Sequence, residues 1–241
     1  LYNTNKAVTV IDIPEDETER EQKLYLSVTS LRELFENSRY YLQTQAERMK
    51  KREEFMLERL DEKVNIELAK YPELKTKPNI VVLLSMGSIH TGIYHALKSD
   101  GRDVERDSGV NSVFGPSDEA QRRFRFGKQV DDVLIAQATL EIAFQNVFNS
   151  KLRKLTDENE KIIRFDGFVA RLFNINEIIN IFGNLPLHGW DIFKGSFENY
   201  IQYLLEKKGI KIPESEEELD KLLTAQKNKI NKPVAKDTTN V

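Results

Sequence analysis

Two short aliphatic runs interrupt a chain whose other apolar residues mostly follow a helical spacing. Residues 7–13 (AVTVIDI) are β-branched and aliphatic and end at Pro14, and residues 80–85 (IVVLLS) have no polar position until the last. Runs of this kind are typical of strands that are buried on both faces, as in a parallel sheet covered by helices. We therefore expect two buried strands.

Outside these runs, apolar residues recur every three or four positions, which predicts helices. Long helices are expected over about 16–36 and 39–70, with a break at Asn37-Ser38 between them, and over about 117–150. A short helix is expected to follow Gly92 and to reach Leu97. The later helices are expected at 177–182, after a capping-box pattern at Asn174 and Glu177, and at 196–208 and 215–225.

These elements predict a helix-rich α/β fold, in which buried parallel strands are flanked by long helices and an all-α annex follows. Residues 1–98 would form the α/β core portion, residues 99–225 the helical annex, and residues 226–241 a flexible tail. Two strands do not make a stable sheet. Further strands would have to come from weaker segments, from another chain or from sequence before Leu1.

Composition narrows the class of protein. The 241 residues include no cysteine, which excludes disulfides and thiolate metal sites and fits a reducing, cytoplasmic compartment. Lys plus Arg (36) and Asp plus Glu (39) give a net charge of −3, which disfavours a nucleic-acid partner. No apolar stretch approaches the roughly 20 residues of a membrane span, so we expect a soluble protein.

His90 is the strongest candidate for a catalytic or metal-binding residue. It follows the predicted strand 80–85 and Gly87, at the place where open α/β sheets bind their ligands. A neutral imidazole there could bind a metal or move a proton, or it could only cap the strand end. His95 and His188 are better explained as structural or exposed residues. The three histidines match no metal motif such as HExxH.

Two further patterns have competing explanations. Residues 122–128 (RRFRFGK) interleave basic and aromatic side chains, which could bind a phosphate backbone with stacking or could be the two sides of a helix. Gln137, Glu141 and Gln145 form a polar stripe at i, i+4 spacing on an apolar helix. An exposed strip or a hydrogen-bonded seam between helices is favoured there over an internal polar site.

Four features in order resemble a known group of proteins. They are strand 8–13 with Asp12 before Pro14, the segment REEFMLERL at 52–60, strand 80–85, and the turn GSIH at 87–90. The order resembles the later half of the erythromycin esterase-like, ChaN-like and TIKI/TraB-like proteins. In that group a helix with the pattern R-[DE]-x-x-M-x-E-x-[IL] precedes a hydrophobic strand that ends in G-x-x-H. The resemblance covers about residues 7–98.

The resemblance implies an active-site pocket at the strand ends, with Arg52, Glu53 and His90 as catalytic residues. Arg52 would orient an anionic or carbonyl group, and Glu53 stands where the group often has Asp. His90 would act as a base or as the ligand of a divalent metal (Mn, Zn or Co). The second histidine element, which lies earlier in the group's sequences, has no counterpart before Asp12, so either the first half is lacking or the site is degenerate.

Two functions follow as hypotheses. The first is a hydrolase-like or metal-binding pocket protein, centred on His90 and Arg52, that acts on a small molecule or peptide. The second is a non-catalytic scaffold whose long helices at 39–70 and 117–150 contact other proteins. A homo-oligomer or a partner chain that completes the sheet would fit either hypothesis.

Overall fold

A computed structural model describes residues 30–73, 81–85, 90–106, 114–184 and 194–230. Within these ranges the protein is helical and contains no strand, so the predicted α/β fold is wrong for the part of the chain that is described. The predicted strand at 7–13 lies outside these ranges. The helices are α1 (Leu31–Lys70), α2 (Thr91–Ser99), α3 (Pro116–Arg125), α4 (Asp132–Leu152), α5 (Asn159–Arg171), α6 (Ile175–Gly183), α7 (Lys194–Lys207) and α8 (Glu216–Ile230).

The aliphatic segment 81–85 is irregular and exposed, not a buried strand. Val81 and Leu83 are 89% and 90% exposed, and Val82 is 48% exposed. Leu84 is half-buried against a small apolar cluster between α1 and α2. A strand is stabilised by pairing with its neighbours, and no other described segment supplies a strand for it. The apolar pattern therefore did not predict correctly whether this segment is buried.

The predicted break at Asn37-Ser38 is also wrong, because α1 runs through it as one helix of 40 residues. Ser30 caps its start by accepting a hydrogen bond from the backbone N–H of Glu33 at 3.2 Å. The Ser38 hydroxyl donates to the Leu34 carbonyl at 2.8 Å, one turn earlier. The buried hydroxyl is therefore satisfied within the helix, and the helix continues.

The predicted helix at 117–150 is instead two helices with a turn between them. α3 ends at Arg125, and Gly127 then adopts a φ of +62°, a left-handed conformation that glycine tolerates. The Asp131 carboxylate accepts the backbone N–H of Leu134 at 2.8 Å and so caps the start of α4. Because of this turn, α3 packs against both α1 and α4 and reaches α5.

The main core surrounds α4, which is apolar on most sides, as the sequence predicted. Its buried residues come from α1 and from α4 to α8. Phe144, Phe148, Phe165 and Phe173 are fully buried there and contact each other. The capping box predicted for α6 is confirmed, because Asn174 and Glu177 each accept a hydrogen bond from the other's backbone N–H.

A smaller cluster joins α2 to the middle of α1. Met56 and Leu60 of α1 pack against Ile93 and Leu97 of α2, and all four side chains are buried. The packing holds the start of α2 beside α1 and so positions the candidate site described below. None of the described helices is long and apolar enough to cross a membrane.

Candidate functional site

Glu53 and His90, which the sequence selected separately, lie together at the start of α2. The Oε1 atom of Glu53 is 3.7 Å from the Nδ1 atom of His90, and the two side chains are only 7% and 9% exposed. Glu53, Met56 and Leu60 share one face of α1, so the apolar packing on α2 also aims the carboxylate at His90. His90 is the residue immediately before α2.

Arg52 precedes Glu53 in α1 and faces a different direction. Successive helix residues are about 100° apart around the axis. Half-buried Arg52 is therefore rotated away from the face of α1 that carries Glu53. A guanidinium does meet Glu53, but it belongs to Arg125 at the end of α3. The catalytic role of Arg52 stays a prediction.

Arg125 links all three helices at this point. Its Nη1 atom lies 3.3 Å from Glu53 Oε1, and its Nη2 atom donates to the Thr91 hydroxyl at 2.9 Å. The Arg125 side chain is 7% exposed, and burial lowers its pKa from the usual value while the Glu53 carboxylate opposes this change. A guanidinium titrates far above neutrality, so the two residues form a largely buried ion pair.

The close approach of Glu53 to α2 depends on a glycine. The backbone N–H of Gly92 donates to Glu53 Oε1 at 3.2 Å. A Cβ atom at position 92 would overlap the Glu53 carboxylate, so a larger residue would displace it. The carboxylate also lies at the helix N-terminus, where the dipole of α2 favours negative charge.

A narrow, solvent-open cleft, whose enclosed space is only about 20 Å³, runs from this cluster along α3. It lies between α1 and α3, and Arg125 and Thr91 connect it to the Glu53–His90 pair. Its lining is mixed, with apolar residues from α1 and polar residues from α3. The residues that line it are Ala46, Met49, Thr91, Phe114, Asp118, Gln121, Arg122 and Arg125.

A second set of carboxylates lies at the other end of α3. Glu141 of α4 and Asp166 of α5 are fully buried, and Glu141 Oε2 accepts the backbone N–H of Ser117 at 2.6 Å. Burial raises the pKa of Glu141 to about 7. Burial, together with the Glu141 charge, raises the pKa of Asp166 well above its usual value. Burial also raises the pKa of Asp118, which lines the cleft.

The described residues give no support to a metal at His90. They contain no group of three or more His, Asp or Glu side chains that could hold a metal ion. Glu53 and His90 supply two ligands, whereas catalytic zinc sites use three protein ligands. The divalent metal (Mn, Zn or Co) stays a prediction.

The basic-aromatic motif does not form one exposed basic face. Arg122 and Arg123 both bind Glu119, at 2.8 Å in each case, and Arg125 is buried as described above. His95 is exposed, and its ring packs edge-on against a neighbouring tyrosine and phenylalanine. His188 lies outside the described residues.

The polar stripe on α4 has two of the predicted roles at once. Gln137 donates to the Phe173 carbonyl at 3.1 Å and forms a seam between α4 and the turn after α5, while Glu141 is internal. Arg125 was not predicted as a residue of this site, and Asp166 was not singled out from the sequence. The available signal for Asp166 was a lone carboxylate beside Gly167 within an otherwise apolar stretch of α5.

No protein-family model, curated protein or solved structure matches this chain. The resemblance to the erythromycin esterase-like group therefore stays a prediction. Function has to be argued from the residues that the fold brings together.

Proposed function

We propose that this protein is a hydrolase-like enzyme in which Glu53 and His90 form a general acid–base pair. One observation supports the proposal above all others. A single oxygen of Glu53 faces His90 Nδ1, the Gly92 N–H and the Arg125 guanidinium, where the three side chains are 9% exposed or less. Polar groups that converge in a nearly dry place beside a cleft are typical of catalytic sites.

Each residue has a role that follows from its contacts. The Gly92 N–H and Arg125 stabilise Glu53 as an anion. The anion lies 3.7 Å from His90 Nδ1, beyond hydrogen-bond range in this structure, and its charge favours the tautomer with the proton on Nδ1. This tautomer presents Nε2 as the base that takes a proton from water or from a substrate hydroxyl. Glu53 would then stabilise the imidazolium that forms, until the proton passes to the leaving group.

The cleft suggests the substrate class. Arg125, Arg122 and the amide of Gln121 are donors along one wall, and Thr91 adds a hydroxyl beside His90. Donors of this kind suit the carbonyl oxygen of an ester or amide, or a carboxylate on the substrate. A small-molecule or peptide substrate with such a group is therefore proposed.

The experiment is hydrolysis of a panel of 4-nitrophenyl esters by the wild type, His90→Ala and Glu53→Gln. His95→Ala is the matched control, since His95 is an exposed histidine on α2, five residues after His90. We expect His90→Ala to lose about 10²-fold or more in rate, as general acid–base catalysis predicts, and His95→Ala to keep its activity. Equal rates in His90→Ala and the wild type would contradict the proposal.

A second candidate function is protein interaction, and the exposed segment 81–85 favours it. Val81 and Leu83 leave nearly all of their apolar surface in water, next to the α1–α2 cluster. Contiguous exposed apolar surface is typical of contact sites for another protein, including a second copy of the chain. Light scattering of wild type and Leu83→Asp tests this function. A dimer that Leu83→Asp dissociates supports it, and a monomer in both cases contradicts self-association.

A further inference from the structure

Glu141 and Asp166, here called the acid pair, are buried without the partners that such groups normally have. Both side chains are fully buried, on α4 and α5 respectively. Among the described residues, Glu141 Oε1 and both carboxylate oxygens of Asp166 have no hydrogen-bond partner. Buried polar atoms in folded proteins are nearly always bonded, so the acid pair requires an explanation.

The backbone of two glycines lies against the Glu141 carboxylate. A Cβ atom on Gly115 would overlap it, and a Cβ atom on Gly167 would lie 3.0 Å from Glu141 Oε1 and 2.8 Å from the Cα of Gly115. The segment before α3 and the middle of α5 therefore close tightly around this carboxylate. Their contact needs glycine at both positions.

The charges around the acid pair do not balance. Arg171 is the cation that acts on Glu141, and it also donates to the Phe114 carbonyl at 2.7 Å. Asp118 acts on Glu141 in the opposite sense, and Glu141 does the same to Asp166. Ionised Glu141 would have two carboxylates near it, Asp118 and Asp166, against the one guanidinium of Arg171, and buried like charges favour retention of a proton.

We propose that the acid pair holds a proton at neutral pH and that this proton keeps the start of α3 packed against α4 and α5. A proton on Asp166 removes the repulsion between the two carboxyl groups, while Glu141 continues to accept the Ser117 N–H. Loss of the proton leaves two buried anions that repel each other. The Ser117–Glu141 hydrogen bond and the packing of Gly115 against Gly167 then weaken together.

This coupling makes the start of α3 sensitive to pH. α3 carries Ser117 in its first turn and Arg125 at its end, so a change at the acid pair is transmitted toward Glu53. That consequence rests on the proposed function, whereas the proton-dependent packing of α3 does not. The test below measures only the packing, so its failure and the failure of the proposed function are distinguishable.

The test is amide hydrogen exchange of the full chain at pH 6 and pH 9, corrected for the intrinsic effect of pH on exchange. The probe is the Ser117 N–H, and amides of α6 serve as an internal reference. We expect Ser117 protection in the wild type to fall about tenfold or more relative to α6 at pH 9. Asp166→Asn should keep its Ser117 protection at pH 9, because asparagine cannot ionise and no second buried anion forms near Glu141.

Glu160→Gln is the matched control, since Glu160 is an exposed carboxylate on the same helix. It should behave like the wild type. If Asp166→Asn does not fold, Glu141→Gln is used in its place. Protection of the Asp118 and Glu119 amides, measured relative to α6, should then not depend on pH. Ser117 protection that does not change with pH overturns the proposal. Protection that Mg²⁺ or K⁺ restores at pH 9 also overturns it, because the pair would then be a cation site.

Discussion

The Oε1 atom of Glu53 on α1 lies 3.7 Å from the Nδ1 atom of His90, which immediately precedes α2, although the residues are 37 positions apart. The contact depends on two features of the fold. Met56 and Leu60 pack α1 against α2, and Gly92 lets the carboxylate approach the backbone of α2. Arg125 then supplies the opposite charge from a third helix.

Arg125→Gln is expected to destabilise the protein strongly. The substitution leaves the Glu53 carboxylate buried without its cation, and breaking a buried ion pair in this way costs about 3 kcal/mol. Urea unfolding measures the change. Arg32→Gln is the control, because Arg32 pairs with Glu36 on the exposed face of α1 and should unfold at the wild-type midpoint. The double variant Arg125→Gln/Glu53→Gln should lose less than the sum of the two single variants. Additive losses would contradict the ion pair.

Gly92→Ala is expected to destabilise the protein only while Glu53 is present. The added methyl group overlaps the Glu53 carboxylate, and such overpacking costs about 1–3 kcal/mol. In a Glu53→Ala background the overlap disappears, and alanine should be neutral or stabilising because it favours the helix. The four proteins form a cycle that thermal or urea unfolding can measure. An equal cost in both backgrounds would show that Gly92 is needed for another reason.

Stability should fall as the pH rises from about 5 to about 8. The pKa of Glu141 is raised to about 7, so the folded state binds more protons than the unfolded state in this window. The stabilisation from Glu141 is fully present below its pKa in the unfolded state and is lost as the pH rises through its pKa in the folded state. The upper limit of this contribution is about 3 kcal/mol. Asp166 acts in the same direction.

Urea midpoints at several pH values test this expectation. Glu141→Gln should flatten the dependence between pH 5 and pH 8, and the exposed-site variant Glu160→Gln should not. Carboxylates whose pKa is lowered, such as Glu119 and Glu177, affect stability at more acidic pH. They therefore do not contribute to the change in urea midpoint between pH 5 and pH 8. A wild type that becomes more stable from pH 5 to pH 8 would contradict the assignment.

Elements that depend on local signals were predictable from the sequence. The α6 capping box needs only the side chains of Asn174 and Glu177, and it forms as expected. The break expected at Asn37-Ser38 does not form, because the Ser38 hydroxyl finds the Leu34 carbonyl within the helix. The exposure of 81–85 was not predictable, since burial of an aliphatic run requires partners that its own sequence does not specify.

The candidate site was predictable only in part, because its contacts join residues that are far apart in the sequence. His90 was selected from the turn after the predicted strand 80–85, and Glu53 from the resemblance of segment 52–60. The fold brings the two residues into contact. Arg125 was assigned to a basic-aromatic pattern, because its sequence neighbours Arg122 and Arg123 are basic. Its actual partner, Glu53, is 72 residues away. Asp166 shows no pattern that would pair it with Glu141 of another helix. These contacts are made by the packing of α3 on α1, α4 and α5.

The most direct test of the Glu53–His90 pair is the tautomer of the neutral His90 ring, measured by ¹⁵N NMR in the wild type and in Glu53→Gln. A carboxylate facing Nδ1 predicts the Nδ1–H tautomer in the wild type, with Nε2 unprotonated, and a shift toward Nε2–H in Glu53→Gln. His95, which is exposed, should give the same spectrum in both proteins. An Nε2–H tautomer of His90 in the wild type, or no change in the variant, would contradict the proposed acid–base pair.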